Sequence, residues 1–175
     1  MFKKILVALD NSPQRQFVLE KAIDIARDTQ AELKLCHVLS AHEEGSPGIP
    51  IRSYQAYYPV LEDSTWRLYQ ERWEDFETQG IAQLQEETDV AIAAGVTTSF
   101  TQVAGDPAPT LCRVAGSWQA ELIVVGSHGR RGISELLMGS VSNYVTHHAE
   151  CSVLIVQHAH GTATASASAA VSATA

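Results

Sequence analysis

Gly126 and Gly129 are separated by two residues, and nine more separate Gly129 from Gly139 and Ser140. Glycines let backbone N–H groups approach an anion with no Cβ in the way. The first N–H groups of a helix lack intrahelical partners, and the helix dipole favours negative charge there. The apolar run Leu122, Ile123, Val124, Val125 precedes the first glycine, and helical character follows Ser140. A strand, a glycine loop and a helix start, in that order, suit phosphate. Ser140 adds a hydroxyl, and Arg130 and Arg131 add positive charge to a chain whose net charge is −8. The competing reading is structural, because glycines at strand-to-helix turns also serve geometry alone. The loop is not a P-loop, since no Gly-Lys-Ser/Thr follows, and the dinucleotide pattern G-x-G-x-x-G is absent.

Asp10 closes a second apolar run, Ile5-Leu6-Val7-Ala8-Leu9. In open α/β sheets, ligands bind beyond the carboxyl ends of the strands, at the switch point. A carboxylate there can accept hydrogen bonds from ribose hydroxyls or hold a metal. It can equally cap the following helix together with Ser12. Val38, near the end of the next strand, lines a base pocket or is plain core. His128, inside the glycine loop, is a candidate for activating water or a solvated loop histidine.

The elements that must position these groups follow from apolar patterning. Continuous apolar runs fit strands covered on both faces. Residues 5–9, 31–39, 96–103, 122–125 and 153–156 are read as five strands. Helical spacing predicts a first helix capped by Ser12 with Pro13 at its first position, ending near Asp28. A long helix is predicted over residues 63–94, with Trp66, Tyr69, Trp73, Phe76, Ile81 and Leu84 as core and Gly80 as a bend. Its charges, Glu71, Arg72, Glu74, Asp75, Glu86 and Glu87, are assigned to a solvated face, and Gly95 to a C-cap. A third helix opens at Gly105-Asp106-Pro107 with Asp106 as cap, and carries Leu111 and Val114 inward to about Trp118. The last helix spans residues 140–148, with His147 and His148 in its final turn. The alternation predicts an α/β fold, doubly wound, with a five-stranded, mostly parallel sheet.

Two segments stand apart. Residues 40–62 form an irregular insertion with three prolines, two glycines and Tyr54, Tyr57 and Tyr58, which reads as a lid or a partner surface. Residues 158–175 are almost wholly Ala, Ser, Thr and Gly and read as a flexible tail behind a domain of residues 1–157.

The acidic balance argues against broad nucleic-acid binding. The three cysteines, Cys36, Cys112 and Cys151, include no C-x-x-C pair and read as reduced, mostly buried thiols. No apolar run is long enough for a signal-peptide core or a membrane span. A cytoplasmic location is therefore expected.

Taken together, the opening K-K-I-L-V-A-L-D-N-S, the G-D-P turn, V-V-G-S-H-G-R-R-G, the Gly126/Gly129/Gly139-Ser140 spacing and the closing H-A-E-C-S-V-L-I-V resemble the universal stress protein family, in its ATP-binding branch. The resemblance covers Phe2 to about Gln157. It implies strand order 3-2-1-4-5, which sets strands 1 and 4 side by side. It implies that ATP, or AMP or ADP, lies with adenine on Ala8 and Val38 and with Asp10 holding ribose. Gly126 would shape the turn and touch ribose or phosphate; phosphates would lie on the backbone of Gly129, Gly139 and Ser140, with the Ser140 and Ser142 hydroxyls donating and Arg130 and Val141 counted among the binding residues. Mg²⁺ would be bound through the phosphates, with no metal site in the protein itself. The family habit also implies a homodimer through the last strand, Val153 to Val156, and a nucleotide-dependent stress or signalling role. No base for activating water stands out, so hydrolysis is expected to be slow or negligible. The alternatives are a slow metal-dependent nucleotide hydrolase using His128 or Asp10, and a dimeric interaction protein that binds no nucleotide.

Overall fold

In the computed structural model, which describes residues 1–48, 60–127 and 139–157, nine elements alternate along the chain. They are β1 (Lys4–Leu9), α1 (Arg15–Thr29), β2 (Glu32–Leu39), α2 (Val60–Ala93), β3 (Thr98–Ala104), α3 (Pro107–Trp118), β4 (Leu122–Gly126), α4 (Ser140–His148) and β5 (Ser152–Val156). The sheet has the order β3-β2-β1-β4-β5, and every pairing is parallel. The α/β class and the strand order agree with expectation. Ile5, Leu6 and Val7 in the central strand are fully buried because helices cover both faces of the sheet. Alternating residues divide the core. Ile5, Val7, Leu33 and Leu35 meet Val18, Leu19 and Ala22 of α1 and Leu84 and Ala91 of α2. Leu6, Cys36, Val38 and Ile123 meet Leu111 and Val114 of α3 and Val145 of α4.

The ends of the helices differ from the sequence expectation. α1 begins at Arg15 rather than at Pro13, and residues 12–14 form a turn closed by Arg15 N–H to Ser12 O at 3.1 Å. Ser12 is thus not its N-cap. Asp106 does stand at the N-cap of α3 ahead of Pro107, but its side chain makes no capping hydrogen bond. Gly95 ends α2 as expected: its φ is +87°, and Val96 N–H returns to Ala91 O at 3.1 Å.

α2 departs most. It is one unbroken helix of 34 residues that starts at Val60, so residues 60–62 of the expected insertion are helical. The helix runs without a break through Gly80. A Cβ there would overlap Gln102 Oε1 and lie 3.1 Å from His37 Nδ1, so glycine permits a close crossing over β2 and β3. Leu84 is buried as expected, whereas Trp66 is 45% and Ile81 43% exposed. Tyr69, Trp73 and Phe76 are half-buried and contact one another as tilted rings along the helix (centroids 5.8–6.3 Å apart) instead of joining the core cluster. Their spacing suits a buried stripe, but the sheet ends before it reaches them.

Of the cysteines, Cys36 is buried, and burial pushes its thiol up to about 12. Cys112 and Cys151 are half-buried and likewise raised by desolvation. No helix among the described residues is long and apolar enough to cross a membrane. Tyr54, Tyr57, Tyr58 and the tail lie outside the described residues.

Candidate functional site

The chain leaves β1 toward β2 on one side, and β4 later takes the place on the other. At that reversal the carboxyl ends of β1, β2 and β4 surround a cavity of about 480 Å³, within the range of small-molecule sites. Its apolar walls are Ala8, Val18, Val38, Leu111 and Val125. Asp10, Ser12 and Glu43 stand at one rim, and Gly126, Gly139, Ser140, Val141 and Ser142 at the other. Eight of the ten residues singled out from sequence therefore line one space. The other two, Gly129 and Arg130, lie with His128 and Arg131 outside the described residues.

The α4 rim is formed by the start of a helix. Gly139 is the N-cap, and its N–H is held by Ser127 O at 2.8 Å. The N–H groups of Ser140, Val141 and Ser142 belong to a first turn that offers them no intrahelical acceptor. Ser140 is exposed, whereas Ser142 is 1% exposed. The Ser142 hydroxyl lies 2.9 Å from Gly139 O and 3.3 Å from Ser127 O. It thus ties the two ends of the glycine loop together.

The opposite rim is acidic. Asp10 Oδ1 accepts the Ser12 N–H at 3.2 Å, which is the capping-type contact weighed against a ligand role. Burial pushes the Asp10 carboxyl above its ordinary 3.8; the Ser12 hydrogen bonds oppose this and the nearby Glu43 charge reinforces it. A carboxyl raised on folding favours the folded state most while protonated. That contribution is complete below the ordinary value and is lost as pH rises through the raised one. Asp10→Asn keeps the Oδ1 acceptor without the charge. It is expected to raise the unfolding temperature of the ligand-free protein at neutral pH, with the gain vanishing near about pH 3. Thermal unfolding at both pH values checks this, and equal stability at neutral pH would contradict it.

Three groups here escaped the sequence reading. Glu87, assigned to a solvated face, is buried and paired with buried Arg15 through Nε–Oε1 at 2.6 Å and Nη2–Oε2 at 2.9 Å. Arg15 Nη1 also donates to Asp10 O at 3.2 Å, bracing the turn that carries the carboxylate. His37 is 1% exposed, with Nδ1 3.0 Å from Gln102 Oε1 and Nε2 2.7 Å from Glu43 Oε1. A second concavity, of about 490 Å³, lies beyond the turn, but Glu44 and Glu87 line it and Glu87 neutralises its arginine. It offers phosphate no cradle. Among the described residues no group of three His, Cys, Asp or Glu side chains is arranged to hold a metal ion.

This architecture has known counterparts. Universal stress protein Sll1388 of Synechocystis is 31% identical over 157 residues, spanning 90% of this chain and 99% of that protein. The structure of universal stress protein UspA from Lactobacillus plantarum matches with a TM-score of 0.66 at 21% identity, over 88% of this chain and 97% of its own. A universal stress protein solved in complex with cAMP matches with a TM-score of 0.58 at 26% identity, over 89% of this chain and 97% of its own. The universal stress protein family as a whole matches residues 1–157, from β1 through β5 and across both rims of the cavity, and it is to this family that the chain belongs.

Proposed function

We propose that this protein binds an adenine nucleotide, ATP in the first instance, and that occupancy sets a cytoplasmic stress or signalling output through a homodimer. One observation carries the reading: an apolar cavity holds a carboxylate turn at one rim and the open N-terminus of α4 at the other. Adenine lies against Ala8 and Val38, ribose meets Asp10, and phosphates meet Gly126, Gly139, Ser140 and Val141, with Gly129 and Arg130 completing the loop. Ser142 acts by holding the loop closed. Mg²⁺ is held through the phosphates. The relative solved with cAMP supports an adenine ligand in general. The exposed edge of β5, where Leu154 is 36% exposed, suits pairing between two copies.

Calorimetric titration of nucleotide-stripped protein with ATP, AMP and cAMP, with and without Mg²⁺, tests the reading. Saturable binding is expected, strongest for ATP with Mg²⁺. Absence of binding by all three overturns it. Turnover above the level of a slow background would favour the hydrolase alternative.

A further inference from the structure

Glu43 belongs to the loop after β2 and lines the cavity beside Asp10. Its side chain is 8% exposed. One carboxylate oxygen, Oε1, is fixed twice: it accepts the Asn11 N–H at 3.2 Å and lies 2.7 Å from His37 Nε2. The imidazole is itself fixed. The Gln102 amide nitrogen donates to Glu77 O at 2.9 Å, and Gln102 Oε1 lies 3.0 Å from His37 Nδ1. A chain of contacts from α2 and β3 through β2 thus aims one carboxylate. The other oxygen, Oε2, is buried and has no hydrogen-bond partner among the described residues. A buried acceptor left unmade is unfavourable, and more so when it carries charge.

We infer that Glu43 Oε2 is completed by the ligand, and that Glu43 and Asp10 together read the vicinal hydroxyls of a ribose, making the site selective for ribonucleotides over deoxyribonucleotides. The inference rests on the nucleotide reading above. Phosphate is excluded from this rim by its sign, so the missing partner is a hydrogen-bond donor. Asp10 Oδ1 faces the Ser12 N–H and Glu43 Oε1 faces the Asn11 N–H, so each carboxylate is anchored through one oxygen to the same turn. Two neighbouring carboxylates, of which Glu43 holds an unpartnered oxygen, match two neighbouring hydroxyls. Donation from both hydroxyls also offsets the repulsion between the carboxylates. His37 is a positioning residue in this scheme, because it touches Glu43 and is not among the residues lining the cavity.

The test is a ratio. Wild-type protein is titrated with the Mg²⁺ complexes of ATP, 2′-deoxyATP, 3′-deoxyATP and inosine triphosphate, and the series is repeated with Glu43→Gln. The wild type is expected to prefer ATP over one or both deoxy analogues by about tenfold or more, the usual worth of a hydrogen bond to a charged group. In Glu43→Gln that preference is expected to fall below about threefold, while the ATP-to-inosine ratio stays unchanged. Glu43→Asp keeps the charge but withdraws it by one methylene; it is expected to show the same loss and serves if the glutamine variant does not fold. A wild type that binds ATP and both deoxy analogues equally, or variants that keep full discrimination, overturn the role of Glu43 and leave nucleotide binding standing. A change confined to the inosine ratio would assign Glu43 to the base instead, and also overturns it. A wild type that binds none of the four overturns the nucleotide reading and this inference with it.

Discussion

Arg15→Ala is expected to lower folding stability by about 3–5 kcal/mol, the range for removing one partner of a buried ion pair. The physical reason is the residue left behind. Glu87 would remain buried, with both oxygens deprived of the 2.6 and 2.9 Å contacts to the guanidinium. Urea unfolding at neutral pH measures the loss, and a change below about 1 kcal/mol, typical of a surface pair, would contradict it. The double variant Arg15→Met with Glu87→Leu is expected to recover most of the loss, since an apolar pair of similar volume leaves no charge stranded. Because Arg15 also holds Asp10 O, the single variant should weaken nucleotide binding as well.

Gly139→Val is expected to reduce ATP affinity by about 100-fold or more while leaving the protein folded. Backbone angles of −58° and 153° at Gly139 are open to any residue, so valine brings little backbone strain. Its side chain, however, would stand at the start of α4, where Ser140 and Val141 line the cavity. Loss of even two charge-assisted hydrogen bonds at about 1.5 kcal/mol each accounts for that factor. Calorimetry in the presence of Mg²⁺ provides the measurement, with circular dichroism as the folding control. Unchanged affinity in a folded variant would remove the α4 terminus from the phosphate site.

The sheet was legible because each strand is a short apolar run bounded by polar or glycine residues, and because five such runs alternate with helical spacing. The cavity rims were legible for a related reason: Asp10 and Gly126 each end a run. The charged pair was not, since Arg15 and Glu87 are 72 positions apart and only tertiary packing joins them. A signal was nevertheless present. Arg15 falls in register with Val18, Leu19, Ala22 and Ile23, and Glu87 with Leu84, Thr88 and Ala91, so each occupies the buried stripe of its helix. His37 likewise continues the alternation of Leu33 and Leu35. A charged residue at an apolar register position was the clue that composition alone concealed. The opposite error arose at Trp66 and Ile81, which the spacing assigned to the core and which are 45% and 43% exposed.

That same long helix has a consequence for how the protein comes apart. At 34 residues it extends about 51 Å, and among the described side chains its buried positions begin where Gly80 crosses the sheet. Amide hydrogens around Leu84 and Ala91 exchange with solvent through opening of the whole domain, whereas those around Trp66 exchange through local unwinding. Trp66 and Trp73 sit on the loosely held half, and only Trp118 packs beside the sheet core. Intrinsic fluorescence therefore reports chiefly on the end of one helix. A denaturation curve followed by emission will run ahead of one followed by circular dichroism, and fitting the emission alone as a two-state transition will understate the stability of the sheet core.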